Sequence, residues 1–176
     1  MHSITFECET ITPMFMGSAD PKDVELRAPS IKGAMRFWWR AMNAHLSLDE
    51  LRKQETEIFG GGGNNGRKSN VIIRVQYNNP PNIRSDFKNY YKLNWCFKGK
   101  LKGDHAGIGY LLYSMDLNKN EFIDVGYQFK IVIKSASSDA LIQALSAFWC
   151  AIYFGGFGGR SRRGGGNLEI LRVNTK

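Results

Sequence analysis

The chain has little cysteine, histidine or proline: three, three and five residues among 176. Cys8, Cys96 and Cys150 are odd in number and widely separated, which argues against a disulfide framework and for buried, reduced thiols. His2, His45 and His105 have no ligand-spaced neighbours, so neither a metal nor any other cofactor is expected. No apolar run approaches the roughly 18 residues of a membrane helix, so no span is expected. The opening MHSITFECET lacks a basic region followed by an apolar stretch, so a secretory signal is not expected either, and the cytoplasm is the expected compartment. Acid is also scarce. Asp and Glu total 16 against 24 Lys and Arg, a net charge of +8, which favours a polyanionic partner.

What is present is ordinary for a folded domain: 43% hydrophobic and 23% charged residues, enough for one core spanning 1–176. Ser3 to Ile11 alternates, with Ile4, Phe6, Cys8 and Thr10 on one side, and reads as a half-buried strand. The segment 12–29 carries three prolines and several acids; a loop this long inside a compact domain is expected to be functional. Ser30 reads as the N-cap of a helix whose core face is Ile31, Met35, Trp38, Met42 and His45. Lys32, Arg36, Trp39, Arg40 and Asn43 fall opposite, a basic face with one aromatic set into it. Ser47 with Glu50 forms a capping box for a second helix carrying Leu48, Leu51, Glu55 and Ile58, which Gly60 ends.

Val71 to Tyr77 and Tyr127 to Lys134 read as strands. The region 78–125 between them reads as an insertion or hairpin, with Gly107 to Met115 as a short strand or hairpin arm. Ser138 opens a third helix with Leu141, Leu145, Phe148 and Ile152 on its core face and Ile142, Trp149 and Tyr153 on a second apolar stripe, which calls for burial against another subunit or domain. Asn167 to Val173 is the last strand. The order is α+β, a split βαββαβ of ferredoxin-like or RNA-recognition type, with an extra helix after the first and a glycine-rich loop before the last strand.

Two glycine-rich stretches need separating. GGGNNGRKS at 61–69, within the basic loop 60–69, nearly spells a phosphate-binding P-loop, but Arg67 stands where the lysine belongs. The context is also reversed, since a P-loop follows a strand and opens a helix. A basic surface hairpin is expected instead. FGGFGGRSRRGGG at 154–166 places seven glycines and three arginines in the loop 155–166. It leaves a helix C-terminus, so an anion there is held by Arg160, Arg162 and Arg163 and by loop amides rather than by the helix dipole. Arginines so spaced suit bidentate phosphate contacts, and glycines permit close backbone approach. Lys32, Arg36 and Arg40 repeat every four residues and can follow a phosphate path, with Trp39 beside them either stacking on a base or packing on a loop or subunit.

TPMFMGSAD at 12–20, ELRAPSIKGAMRFWWRA at 25–41, LRKQETEIFGG at 51–61 and FGGFGGRSRRGGG at 154–166 together resemble the RAMP superfamily, and within it the Cmr-type subunit of type III-B CRISPR effector complexes that sits towards the 3′ end of the guide RNA. The resemblance implies a ferredoxin-like, non-catalytic domain that holds guide RNA among other RAMP subunits, with target RNA as a further candidate partner. Carried onto this chain, its RNA-binding positions are Lys32, Arg36, Trp39, Arg40, Gly156, Gly158, Gly159, Arg160, Ser161, Arg162, Arg163 and Gly164. Relatives commonly have two such domains, and this sequence has room for one. A rival expectation is a metal-dependent endoribonuclease using Asp20, with Asp23 nearby, since acids so spaced can share Mg²⁺ with phosphate. A third is a protein scaffold that touches no RNA.

Overall fold

A computed structural model describes residues 1–18, 23–62, 66–92, 94–95, 101–102, 106–117 and 120–175. In chain order the elements are β1 His2–Thr10, α1 Ala28–Met42, α2 Leu48–Phe59, β2 Val71–Gln76, β3 Ile83–Arg84, α3 Phe87–Tyr90, β4 Asn94–Trp95, β5 Leu101–Lys102, α4 Ala106–Leu117, β6 Phe122–Ile123, β7 Gln128–Ser135, α5 Ser138–Tyr153 and β8 Leu168–Thr175. Four strands form one sheet in the order β2-β7-β1-β8, every neighbouring pair antiparallel. With β1, β2, β7 and β8 as the four main strands, this is the ferredoxin-like arrangement that the order of elements implied.

Alternation along the strands decides which face the helices cover. Phe6 and Cys8 of β1, Phe129, Ile131 and Ile133 of β7 and Leu168 of β8 point into the core. Opposite them lie Ile31, Met35 and Trp39 of α1 and Leu141, Ala144, Ala147, Phe148 and Ala151 of α5. The run of alanines on α5 lets the helix approach the sheet closely. The other face of the sheet is largely polar along its two central strands: Lys130 pairs with Glu7 at 3.0 Å, and Gln128 donates to Glu9 at 2.6 Å. No aromatic residue stands among the outward positions Thr5, Glu7, Glu9, Gln128, Lys130, Val132 and Lys134 of the two central strands. The base-stacking platform of an RNA-recognition domain is therefore missing from its usual place.

The Ser47–Glu50 capping box is present, side chain to backbone in both directions. Helix α1, by contrast, begins before Ser30. Arg27 occupies its N-cap position without a side-chain bond, and Pro29 sits in the first turn, where its missing N–H has no intrahelical partner to lose. His45 lies beyond the end of α1 and is exposed, not on a core face.

The insertion also differs from expectation. Gly107 to Met115 belong to α4, a helix rather than a strand. A second cluster explains it: Leu112 packs with Phe15, Phe87 and Phe122, with Ile108 and Met115 against them, a spacing that only a helix presents on one side. Tertiary packing overrides the helix-weakening glycines at 107 and 109. No helix among the described residues is long and apolar enough to cross a membrane.

Candidate nucleic-acid interface

The glycine loop is folded against its own chain. Phe157 is buried and packs on Phe148 of α5, ring centroids 6.2 Å apart. Its N–H donates to the Gly166 carbonyl at 2.9 Å, closing the loop. The segment after β1 forms the other wall, since Gly159 N–H donates to the Phe15 carbonyl at 2.6 Å and Gly166 N–H to that of Pro13 at 2.9 Å. Glycine is required at these contacts. A Cβ would stand 1.8 Å from the Phe157 oxygen at residue 166 and 2.5 Å from the Phe15 oxygen at residue 158, and both positions have positive φ.

That packed base carries a single 3₁₀ turn, Ser161–Arg163, with Arg160 before it and Gly164 after it in the left-handed region. The Arg160 carbonyl takes the amides of Arg163 at 2.8 Å and Gly165 at 3.1 Å, which fixes the turn. Each of two guanidinium groups is steadied by a neighbour without losing its charge. Arg160 donates from Nε to Ser114 Oγ at 2.8 Å and lies over Tyr113, 5.0 Å from the ring centre; Arg162 lies 5.5 Å from the ring centre of Phe37. Arg163 is exposed. Among the described residues no carboxylate pairs with any of the three.

The basic face of α1 is spent differently. Arg40 grips Glu55 of α2 through two bonds, Nη2 to Oε1 at 2.7 Å and Nε to Oε2 at 2.9 Å, and Arg36 donates to the same carboxylate. Burial pushes the Glu55 carboxyl up, but the hydrogen bonds and charges of Arg40 and Arg36 outweigh it and hold it below the usual carboxylate range. Lys32 donates to Ser69 Oγ at 2.8 Å, ahead of β2; desolvation, then the charge of Arg36, lowers its pKa. Lys32, Arg36 and Arg40 do share a face, as their spacing requires, yet that face braces α2 and the loop before β2. The signal was in the sequence: Glu55 sits in step with Leu51 and Ile58 on the apolar side of α2, where an acid needs a cation opposite.

Trp39 is corrected. It is 1% exposed, packs edge-on against Phe59 and donates Nε1–H to Gln143 at 3.0 Å, so its ring is unavailable to a base. Trp38, expected in the core, is half-buried and points toward the glycine loop, where it meets Phe154. The steps Ile31, Met35, Trp39 keep one face in contact with α5, and one residue's rotation of about 100° exchanges the two tryptophans.

Asp20, the alternative catalytic residue, lies outside the described residues; Asp23 is exposed, and its carbonyl accepts from Ser18 N–H at 2.9 Å. The loop 61–69 is pinched by reciprocal Gly61 and Arg67 bonds of 3.1 Å and runs from helix α2 into strand β2, the order opposite to a P-loop. Cys8 is buried, and desolvation raises its thiol to about 12; Cys150 is half-buried; Cys96 lies outside the described residues.

A sequence model of the RAMP superfamily matches residues 7–169. The chain belongs to the RAMP superfamily. Within it, the chain is 31% identical over 190 residues to the CRISPR system Cmr subunit Cmr1-2 of Pyrococcus furiosus, covering 97% of this chain and 96% of that one. It is 29% identical over 180 residues to Cmr1-1 of the same organism, covering 97% of this RAMP chain but 48% of the relative. The crystal structure of Pyrococcus furiosus Cmr1 in its apo form aligns at a TM-score of 0.74 and 27% identity, over 99% of this chain and 50% of that one. A chain of the type III-B Cmr-beta complex bound to cognate target RNA shares the fold, at a TM-score of 0.63 and 17% identity, over 99% of this chain and 55% of that one. This chain therefore spans nearly all of one Cmr1-type relative and about half of another.

Proposed function

We propose that this RAMP chain is a non-catalytic RNA-binding subunit of a type III-B CRISPR effector complex, holding guide RNA towards its 3′ end beside other RAMP subunits. The observation that carries the reading is the loop 155–166: a tightly packed glycine base that presents Arg160, Arg162 and Arg163 on one fixed turn, with no described carboxylate neutralising them. Fixed guanidinium groups lose little freedom on meeting phosphate, and backbone contacts suit a guide whose sequence varies. Similarity to Cmr subunits supports the setting, and the chain of the Cmr-beta complex that shares this fold comes from a structure with cognate target RNA bound.

The test is retention of guide RNA by the complex purified with wild-type chain or with Arg160, Arg162 and Arg163 all changed to Ala. The expected result is guide RNA retained by the first and depleted from the second at the same salt. Cleavage of target RNA in Mg²⁺ by wild type but not by Asp20→Ala would overturn the non-catalytic part.

A further inference from the structure

Beside the arginine turn runs an unbroken row of aromatic rings that the phosphate grip does not use. Arg162 lies over Phe37; Phe37 meets Trp38 at 5.5 Å between centroids, Trp38 meets Phe154 at 6.0 Å, Phe154 meets Trp149 at 5.5 Å, and Trp149 meets Tyr153 at 4.7 Å. The row crosses from α1 to the C-terminal end of α5. Phe37 is 46% exposed, Trp149 50%, Tyr153 61% and Phe154 62%. Large aromatics left this open in one contiguous patch mark a binding surface rather than chance exposure.

We infer that Trp149, Tyr153 and Phe154, with Phe37 and Trp38 at the arginine end, form a base-stacking strip for single-stranded RNA whose phosphates lie on Arg160, Arg162 and Arg163. The inference rests on the RNA-binding reading above and adds the part of the ligand that reading leaves unassigned, the bases. Charge selects RNA over an apolar protein surface. Helix α1 contains no acid, and the one acid of α5, Asp139, stands in its first turn, far from Trp149 along the helix. A polyanion therefore meets cations at one end of the strip and no carboxylate of these two helices beside the rings. Stacking on rings tolerates any base, as a variable guide requires. It also supplies, on the helical side, the aromatic platform that the outward face of the sheet lacks.

The test is fluorescence anisotropy with a labelled uridine ribo-oligomer of roughly 12 nucleotides and with an abasic oligomer of equal length. Three proteins are compared: wild type, a Trp149→Ala/Tyr153→Ala double variant, and the variant with all three loop arginines changed to Ala. Because the double variant alters exposed side chains, circular dichroism should show it folded, and Phe154→Leu is a milder second probe. The double variant is expected to bind the uridine oligomer about tenfold or more weaker while keeping its affinity for the abasic one and its salt dependence. The arginine variant is expected to lose affinity for both. Unchanged binding of the uridine oligomer by the double variant, or equal loss on both oligomers, overturns the strip while leaving the arginine grip intact. Self-association of wild type in sedimentation that the double variant abolishes, with uridine affinity unchanged, overturns it in favour of a protein interface. If wild type binds neither oligomer, the RNA-binding reading itself fails and the strip fails with it.

Discussion

Gly166 and Phe157 close the arginine loop at a separation that no side chain can share: the Phe157 N–H reaches the Gly166 carbonyl at 2.9 Å, and a Cβ on residue 166 would lie 1.8 Å from the Phe157 oxygen. Phe157 is in turn buried against α5. The loop backbone is thus an extension of the core, and it sets where the turn that carries the arginines stands.

Gly166→Ala is expected to destabilise the fold by at least about 2 kcal/mol, combining a left-handed backbone penalty with a backbone clash. Gly33→Ala is its control. That glycine is exposed within α1 with nothing within 4 Å of an added Cβ, so alanine should stabilise by about 0.5–1 kcal/mol. Urea denaturation of both variants checks the pair, and equal effects would show that the loop is not closed as described.

Glu55 should make the fold acid-sensitive. Its carboxyl is depressed, so the stability it contributes is present above the ordinary carboxylate pKa and is lost as pH falls through its lower folded value. Glu55→Gln should cost about 2 kcal/mol near neutrality, less than a fully buried pair because Arg36 and Arg40 remain partly in water. It should also flatten the acid side of the stability curve. Thermal melts from neutral to acid pH read both, and an unchanged acid limb would contradict the assignment.

Trp39→Phe should cost roughly 1–2 kcal/mol by removing a hydrogen bond to Gln143 and part of a packed ring, without altering RNA affinity. A loss of RNA affinity with stability unchanged would restore the exposed placement.

Legibility followed the range of the forces. The Ser47–Glu50 box was readable because donor and acceptor lie three residues apart and no tertiary contact is needed. Strands β1 and β7 were readable from alternation and β2 from its β-branched residues. What failed was decided at a distance. Trp38 and Trp39 are chemically alike neighbours, and only the approach of α5, with Gln143 waiting for an indole N–H, chooses which turns inward. Helix α4 follows from a cluster with Phe15, Phe87 and Phe122, residues on three other segments of the chain. Within the site, the glycines and arginines were visible as a motif. That Arg36 and Arg40 serve a buried acid, while Arg160 and Arg162 rest on Tyr113 and Phe37, was set by tertiary packing.

The most direct test of the central claim is the salt dependence of guide-RNA affinity for wild type and for the variant lacking the three loop arginines. Engagement of about four phosphates gives a log–log slope near −3 for a single strand, and removing three cations should weaken binding and shrink that slope by about 2. An affinity and slope left unchanged by the triple substitution would contradict the claim that this loop holds the RNA backbone.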